Sequence, residues 1–141
     1  MGDQIRVLVA DDHPMWRDAV ARDLDEAGYL VCATAANGVE AVRRAAATSP
    51  QVVVMDLQMP GLNGVEAIRS IVAADPTVRV LVLSASGEHD DVLDAVKAGA
   101  TGYLIKSASR PELLDAVRRT AADEPVFTPG LARLVLGEYR R

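Results

Sequence analysis

Five times along 141 residues, a short run of β-branched and aliphatic residues gives way to a longer stretch whose apolar positions recur every three or four. The strand runs are IRVLVA (5–10), LVCATA (30–35), QVVVMD (51–56), RVLVLSA (79–85) and TGYLIK (101–106). The helical stretches are 14–27, 38–48, 64–74, 88–98 and 110–122, and breakers sit where helices should start or stop: Pro14, Gly28, Asp75-Pro76, Gly99 and Pro111. Strictly alternating strand and helix predicts an α/β fold with a parallel sheet. The strands are apolar almost throughout, as expected when helices cover both faces. The expected fold is therefore a flavodoxin-like (βα)5 doubly wound parallel sheet of strand order 2-1-3-4-5. In the first helix, Met15, Ala19, Val20 and Leu24 are spaced to share one face.

Residues 1–122 read as one domain. Residues 123–130, DEPVFTPG, read as a linker, and LARLVLGEYRR begins a further amphipathic helix that reaches Arg140-Arg141 without a stop signal. That uncapped end suggests a chain cut from something longer.

Charge and composition exclude several roles. A net charge of −5 and a pI near 4.9 argue against nucleic-acid binding through a broad basic surface. The single cysteine, Cys32, permits no internal disulfide and suits a reducing compartment. No apolar run approaches the roughly 20 residues of a membrane span, and the acidic N-terminus is unlike a signal peptide. These features predict a cytoplasmic protein with no membrane partner.

Ligands of open α/β sheets bind beyond the carboxyl ends of the strands, at the switch point in strand order. Four strands of this chain end there on polar residues: Asp11-Asp12, Asp56, Ser84 and Lys106. Three carboxylates would crowd one edge. Two unit charges ~4 Å apart repel by about 4 kcal/mol at an effective dielectric of 20, so either a carboxyl pKa rises or a cation sits among them. Mg²⁺ suits such oxygen donors and accepts phosphate oxygens as well. In that setting Asp56 is a candidate nucleophile, because carboxylates form acyl phosphates. Lys106 is a counter-charge and Ser84 a hydroxyl donor. Each residue also admits a plain structural role: Asp12 as a helix cap, Asp56 in a turn, Lys106 as a solvated lysine. His13 reads as lining the rim and His89 as opening a helix; neither has a ligand-spaced partner of its kind.

Together, VLVADDHP, VVVMDLQMPGLNG, VLVLSA and GYLIKSA resemble the receiver domain of two-component response regulators, over about residues 4–122. The resemblance implies that Asp56 accepts a phosphoryl group from a sensor histidine kinase. It implies Mg²⁺ held by Asp12, Asp56 and the backbone carbonyl of Gln58, with Asp11 acting mainly through water. Lys106 would pair with the phosphoryl group and Ser84 would swing to hydrogen-bond it. Tyr103 would turn inward and remodel the face made by the fourth helix, fifth strand and fifth helix; its plain role is that of a half-buried strand aromatic. Homodimerisation on phosphorylation follows. Such a module is no enzyme beyond catalysing its own phosphoryl transfer and dephosphorylation. ADDHPMWRDAV, GYLIKSAS and VFTPGLARLVLGEYRR resemble the NarL/FixJ regulators, whose DNA binding resides in a LuxR-type helix-turn-helix domain absent from these residues. Ser107 follows Lys106 where many receivers have a proline on a cis bond, which leaves that isomer open.

Two other readings share part of this pattern. A receiver-like module that dimerises without being phosphorylated would need none of these side chains. An Mg²⁺-dependent aspartyl phosphatase of the haloacid dehalogenase type needs an acid two residues after its nucleophile, and Gln58 cannot supply one. No glycine-rich phosphate loop for a nucleotide or flavin follows any strand.

Overall fold

The computed structural model describes residues 4–139. Six parallel strands form one sheet in the order β2-β1-β3-β4-β5-β6: β1 (Arg6–Ala10), β2 (Leu30–Ala35), β3 (Val52–Met55), β4 (Arg79–Ser84), β5 (Gly102–Ile105) and β6 (Val126–Phe127). Helices α1 (Pro14–Glu26), α2 (Gly38–Thr48), α3 (Gly64–Ala74), α4 (His89–Ala98) and α5 (Arg110–Ala121) follow the first five strands, and α6 (Leu131–Tyr139) follows the sixth. The expected order 2-1-3-4-5 is present, with one strand more.

Strand alternation sorts the core into two layers. Leu8, Val53, Met55, Val80, Val82 and Tyr103 face α2, α3 and α4. Val7, Val9, Val52, Val54, Leu81, Leu83 and Leu104 face α1 and α5. Central strands buried on both faces explain why their sequences carry no polar alternation. Side-chain caps fix three helix starts: Asn37 for α2, Asn63 for α3, and a capping box of Ser109 with Glu112 for α5.

Three expectations need correction. The stretch 123–130 is not merely a linker. Val126 and Phe127 pair in parallel with Gly102 and Tyr103, the Thr128 N–H donates to the Tyr103 carbonyl, and the Ile105 N–H donates to Thr128 Oγ1 at 2.9 Å. The β5 edge thereby loses its unpaired backbone groups. Leu131 then enters the core and α6 packs against α4. Second, Met15 is not on the buried face of α1: it is 87% exposed, whereas Val20 and Leu24 are buried. At about 100° per residue Met15 stands roughly 140° round the helix from Val20 and roughly 180° from Leu24, so it faces away from the side they bury. Third, Asp12 does not cap α1. His13 occupies the cap position without a side-chain bond, and Asp11 Oδ1 accepts the His13 N–H at 2.9 Å. The Lys106–Ser107 bond is trans. Arg140 and Arg141, the expected uncapped end, lie outside the described residues.

Candidate functional site

The sheet's hydrogen-bond ladder runs one residue past the strands and carries the site with it. Asp11 N donates to the Ala35 carbonyl, Asp56 N to the Ala10 carbonyl and Lys106 N to the Ser84 carbonyl. Each of these side chains is thus anchored by a backbone bond to the neighbouring strand. The backbone behind Asp56 is fixed from below as well. A Cβ on Gly64, the first residue of α3, would stand 2.5 Å from Leu57 Cα and 3.0 Å from the Asp56 carbonyl oxygen. Only glycine lets α3 press this closely on the turn after β3.

Asp11, Asp56 and Lys106 come together. Lys106 Nζ lies 2.8 Å from Asp11 Oδ2 and 3.3 Å from Asp56 Oδ2. The remaining oxygens are engaged by backbone: Asp11 Oδ1 by the His13 N–H and Asp56 Oδ1 by the Gln58 N–H at 3.1 Å. Asp11 and Asp56 are buried, whereas Asp12 is exposed beside them. Ligand atoms of Asp11, Asp12 and His13 lie within 4.8 Å of one another. For Gln58 the group in contact with Asp56 is the N–H.

Burial pushes the Asp56 carboxyl above the usual aspartate range, against the pull of the Gln58 N–H and the Lys106 ammonium; the charge of Asp11 adds to the rise. Burial works to lower Lys106, but its hydrogen bond to Asp11 and the charges of Asp56 and Asp11 outweigh it, so Lys106 rises. The ammonium therefore stays protonated while Asp56 holds its charge at a cost.

Ser84 is buried, and its Oγ faces the connection after β4, accepting the Ser86 N–H at 3.2 Å. Tyr103 has no solvent exposure and its hydroxyl donates to the Ser86 carbonyl; burial raises its pKa. It is fully buried, not the half-buried strand aromatic of its plain role. Ser86 Oγ in turn donates to Asp91 of α4. Ser84, Tyr103 and α4 are thus tied through one residue.

Two contacts escaped the sequence reading. The Trp16 ring lies 5.0 Å from Lys106 Nζ, and Arg17 donates to the Asp11 carbonyl at 2.9 Å. A helix starting at Pro14 puts both in the turn nearest the acid pair, and that spacing was the available signal. A cleft of about 690 Å³ opens beside the site between the β3–α3 turn and α4, lined by Gln58, Met59, Arg69, Asp91 and Lys97 among others.

A buried carboxylate beside a fixed ammonium and further acids is a setting that can receive an anionic group. Residues 7–118 match the family described as the response regulator receiver domain. The nitrate/nitrite response regulator protein homolog of Haemophilus influenzae is 33% identical over 96% of this chain and 66% of its own length. The nitrate/nitrite response regulator protein NarL of Escherichia coli is 34% identical over 95% of this chain and 62% of its own. A LuxR-family two-component response regulator from Aurantimonas sp. SI85-9A1 superposes with a TM-score of 0.89 at 35% identity, over 99% of this chain and 100% of that one. The chain spans 62–66% of the length of these curated relatives. Among the described residues no helix is long and apolar enough to cross a membrane. The match to the family over most of the chain, in sequence and in fold alike, makes this protein a member of the response regulator receiver domains, of the NarL and LuxR-type group.

Proposed function

We propose that Asp56 is the phosphoacceptor of a two-component receiver, taking its phosphoryl group from a sensor histidine kinase. The observation that carries this reading is the buried Asp56 carboxylate with the Lys106 ammonium 3.3 Å from its Oδ2 and 2.8 Å from Asp11 Oδ2, a fixed positive charge beside the nucleophile. In the reaction, an Asp56 oxygen attacks phosphorus, the phosphorus–nitrogen bond of a phosphohistidine breaks, and its electron pair leaves with the imidazole. Lys106 pairs with a phosphoryl oxygen. Ser84 Oγ turns from the Ser86 N–H to donate to another, and because Tyr103 already stands inward, the change reaches it through the bond it shares with Ser86 and not through an inward turn of its ring. Hydrolysis of the acyl phosphate by water resets the site. A receiver is a signalling module in this sense rather than a classical enzyme.

The donor set fits Mg²⁺. Asp11, Asp12 and Asp56 against the one Lys106 ammonium leave two negative charges, and the carboxylates are hard oxygen donors. Asp12 and Asp56, with the Gln58 carbonyl, would hold the ion, and Asp11 would act through water. When bound, it supplies charge neutralisation for an arriving phosphoryl group.

Tyr103 and Ser86 join the pocket to α4, and we read the α4–β5–α5 face as the surface that phosphorylation switches toward homodimerisation. The receiver read over residues 1–122 extends through the sixth strand and Leu131, which complete its sheet and core, and DNA contact would reside in a helix-turn-helix domain of a longer parent protein. The single cysteine is in keeping with a cytoplasmic site of action.

Acetyl phosphate with Mg²⁺ tests the reading. Intact mass spectrometry should detect one added phosphoryl group on the wild type and none on Asp56→Asn; an adduct surviving in the variant would place the acceptor elsewhere. Sedimentation of phosphorylated against unmodified protein tests the dimer, and identical distributions would refute it.

A further inference from the structure

Lysine is a compact charge on a flexible four-carbon stem, so an ammonium that must meet two carboxylates and then a phosphoryl oxygen needs something to hold it. Two sides of the Lys106 ammonium are occupied by Asp11 and Asp56. The third is occupied by the face of Trp16, 5.0 Å from ring centroid to Nζ. Trp16 is the chain's only tryptophan and it remains 37% exposed, so core packing alone does not account for it. The ring lines a narrow crevice with Ala19 and Val20 of α1 and with Ala108, Ser109 and Leu113 at the start of α5. It therefore bridges the helix after the acid pair and the connection after Lys106.

We propose that Trp16 is a positioning residue of the phosphoacceptor site, holding the Lys106 ammonium in line with Asp11 and Asp56 through a cation–π contact. The inference rests on the phosphoacceptor reading above. Tryptophan presents the strongest ring face for a cation, phenylalanine a weaker one, and leucine fills space without any. That ordering separates electrostatic positioning from simple filling of the crevice.

The experiment compares Trp16→Phe, Trp16→Leu and Trp16→Ala with the wild type, each first shown folded by circular dichroism. The initial rate of Asp56 phosphorylation by acetyl phosphate should fall about threefold to tenfold in Trp16→Leu and Trp16→Ala, the range expected of a partly exposed cation–π contact, and stay within about twofold in Trp16→Phe. Should Trp16→Ala fail to fold, the Leu and Phe variants carry the comparison. Equal rates in those two would overturn the inference and leave the phosphoacceptor reading standing; a wild type that takes no phosphoryl group at Asp56 would overturn both. A second readout needs no phosphodonor and no metal. Lys106→Met removes the charge beside the ring and should shift the emission maximum of Trp16; an unchanged spectrum would show that ring and ammonium do not interact.

Discussion

The Tyr103 hydroxyl stands 2.5 Å from the Ser86 carbonyl, although one belongs to β5 and the other to the connection between β4 and α4. The bond is made inside a core where Tyr103 has no solvent exposure. It secures the connection that also carries the N–H bonded to Ser84 Oγ. Tyr103→Phe keeps the ring and deletes the donor, leaving the carbonyl short of a partner. It should cost about 1–3 kcal/mol in urea unfolding and speed amide exchange at Gly87 and Glu88. Unchanged exchange there would mean that the hydroxyl does not hold the loop.

Asp56 should destabilise the domain at neutral pH in metal-free buffer. Burial raises its folded pKa above the unfolded value, so the folded state binds the proton more tightly. Stability then falls as pH climbs from the unfolded pKa through the folded one, and remains lower above it. Asp56→Asn lacks this loss. Its urea midpoint should exceed that of the wild type at pH 7, and the gap should close below about pH 4, the ordinary aspartate range. A gap that widens on acidification would reverse the sign of the argument.

Mg²⁺ should raise the melting temperature, because it binds the assembled carboxylates and not the unfolded chain. At a hundredfold excess over Kd the gain is about 2.7 kcal/mol, several degrees for a domain of this size. Asp12→Asn and Asp56→Asn should each flatten the response. Full-sized shifts in both variants would move the metal away from this cluster.

Gly64→Ala tests the support beneath the acceptor. Alanine is favoured over glycine within a helix by roughly 0.5–1 kcal/mol. Here its methyl would meet Leu57 Cα and the Asp56 carbonyl, backbone atoms that cannot swing aside. Overpacking of this kind costs about 1–3 kcal/mol and should win. We expect net destabilisation in thermal melts together with slower phosphorylation by acetyl phosphate; a more stable variant with wild-type kinetics would show that the turn relaxes freely.

The placement of Asp11, Asp12, Asp56, Ser84 and Lys106 at strand ends was legible because each interrupts an otherwise apolar run, and parallel strands put such interruptions at one edge. Their partners were not. Nothing local says that Asp11 Oδ1 takes the His13 N–H or that Ser84 Oγ faces Ser86, since those bonds depend on how two connections fold over the edge. Met15 misled because a spacing of five or nine residues does not return to the same side of a helix of about 3.6 residues per turn, so Met15 does not share the face of Val20 and Leu24. Val126-Phe127 escaped because two residues flanked by Pro125 and Pro129 show no period. Their pairing is dictated by the open side of β5, a tertiary demand that no short window contains. Trp16 over Lys106 joins residues on different elements for the same reason.

Val126 and Phe127 sit where another copy of the chain would otherwise add its own strand. A version ending at residue 122 would present Gly102–Ile105 as a naked, apolar template, the sort of border that recruits neighbours by backbone pairing. Any self-association seen in so short a piece would mix this artificial stickiness with a response to phosphorylation. Retaining the residues through Thr128 separates the two.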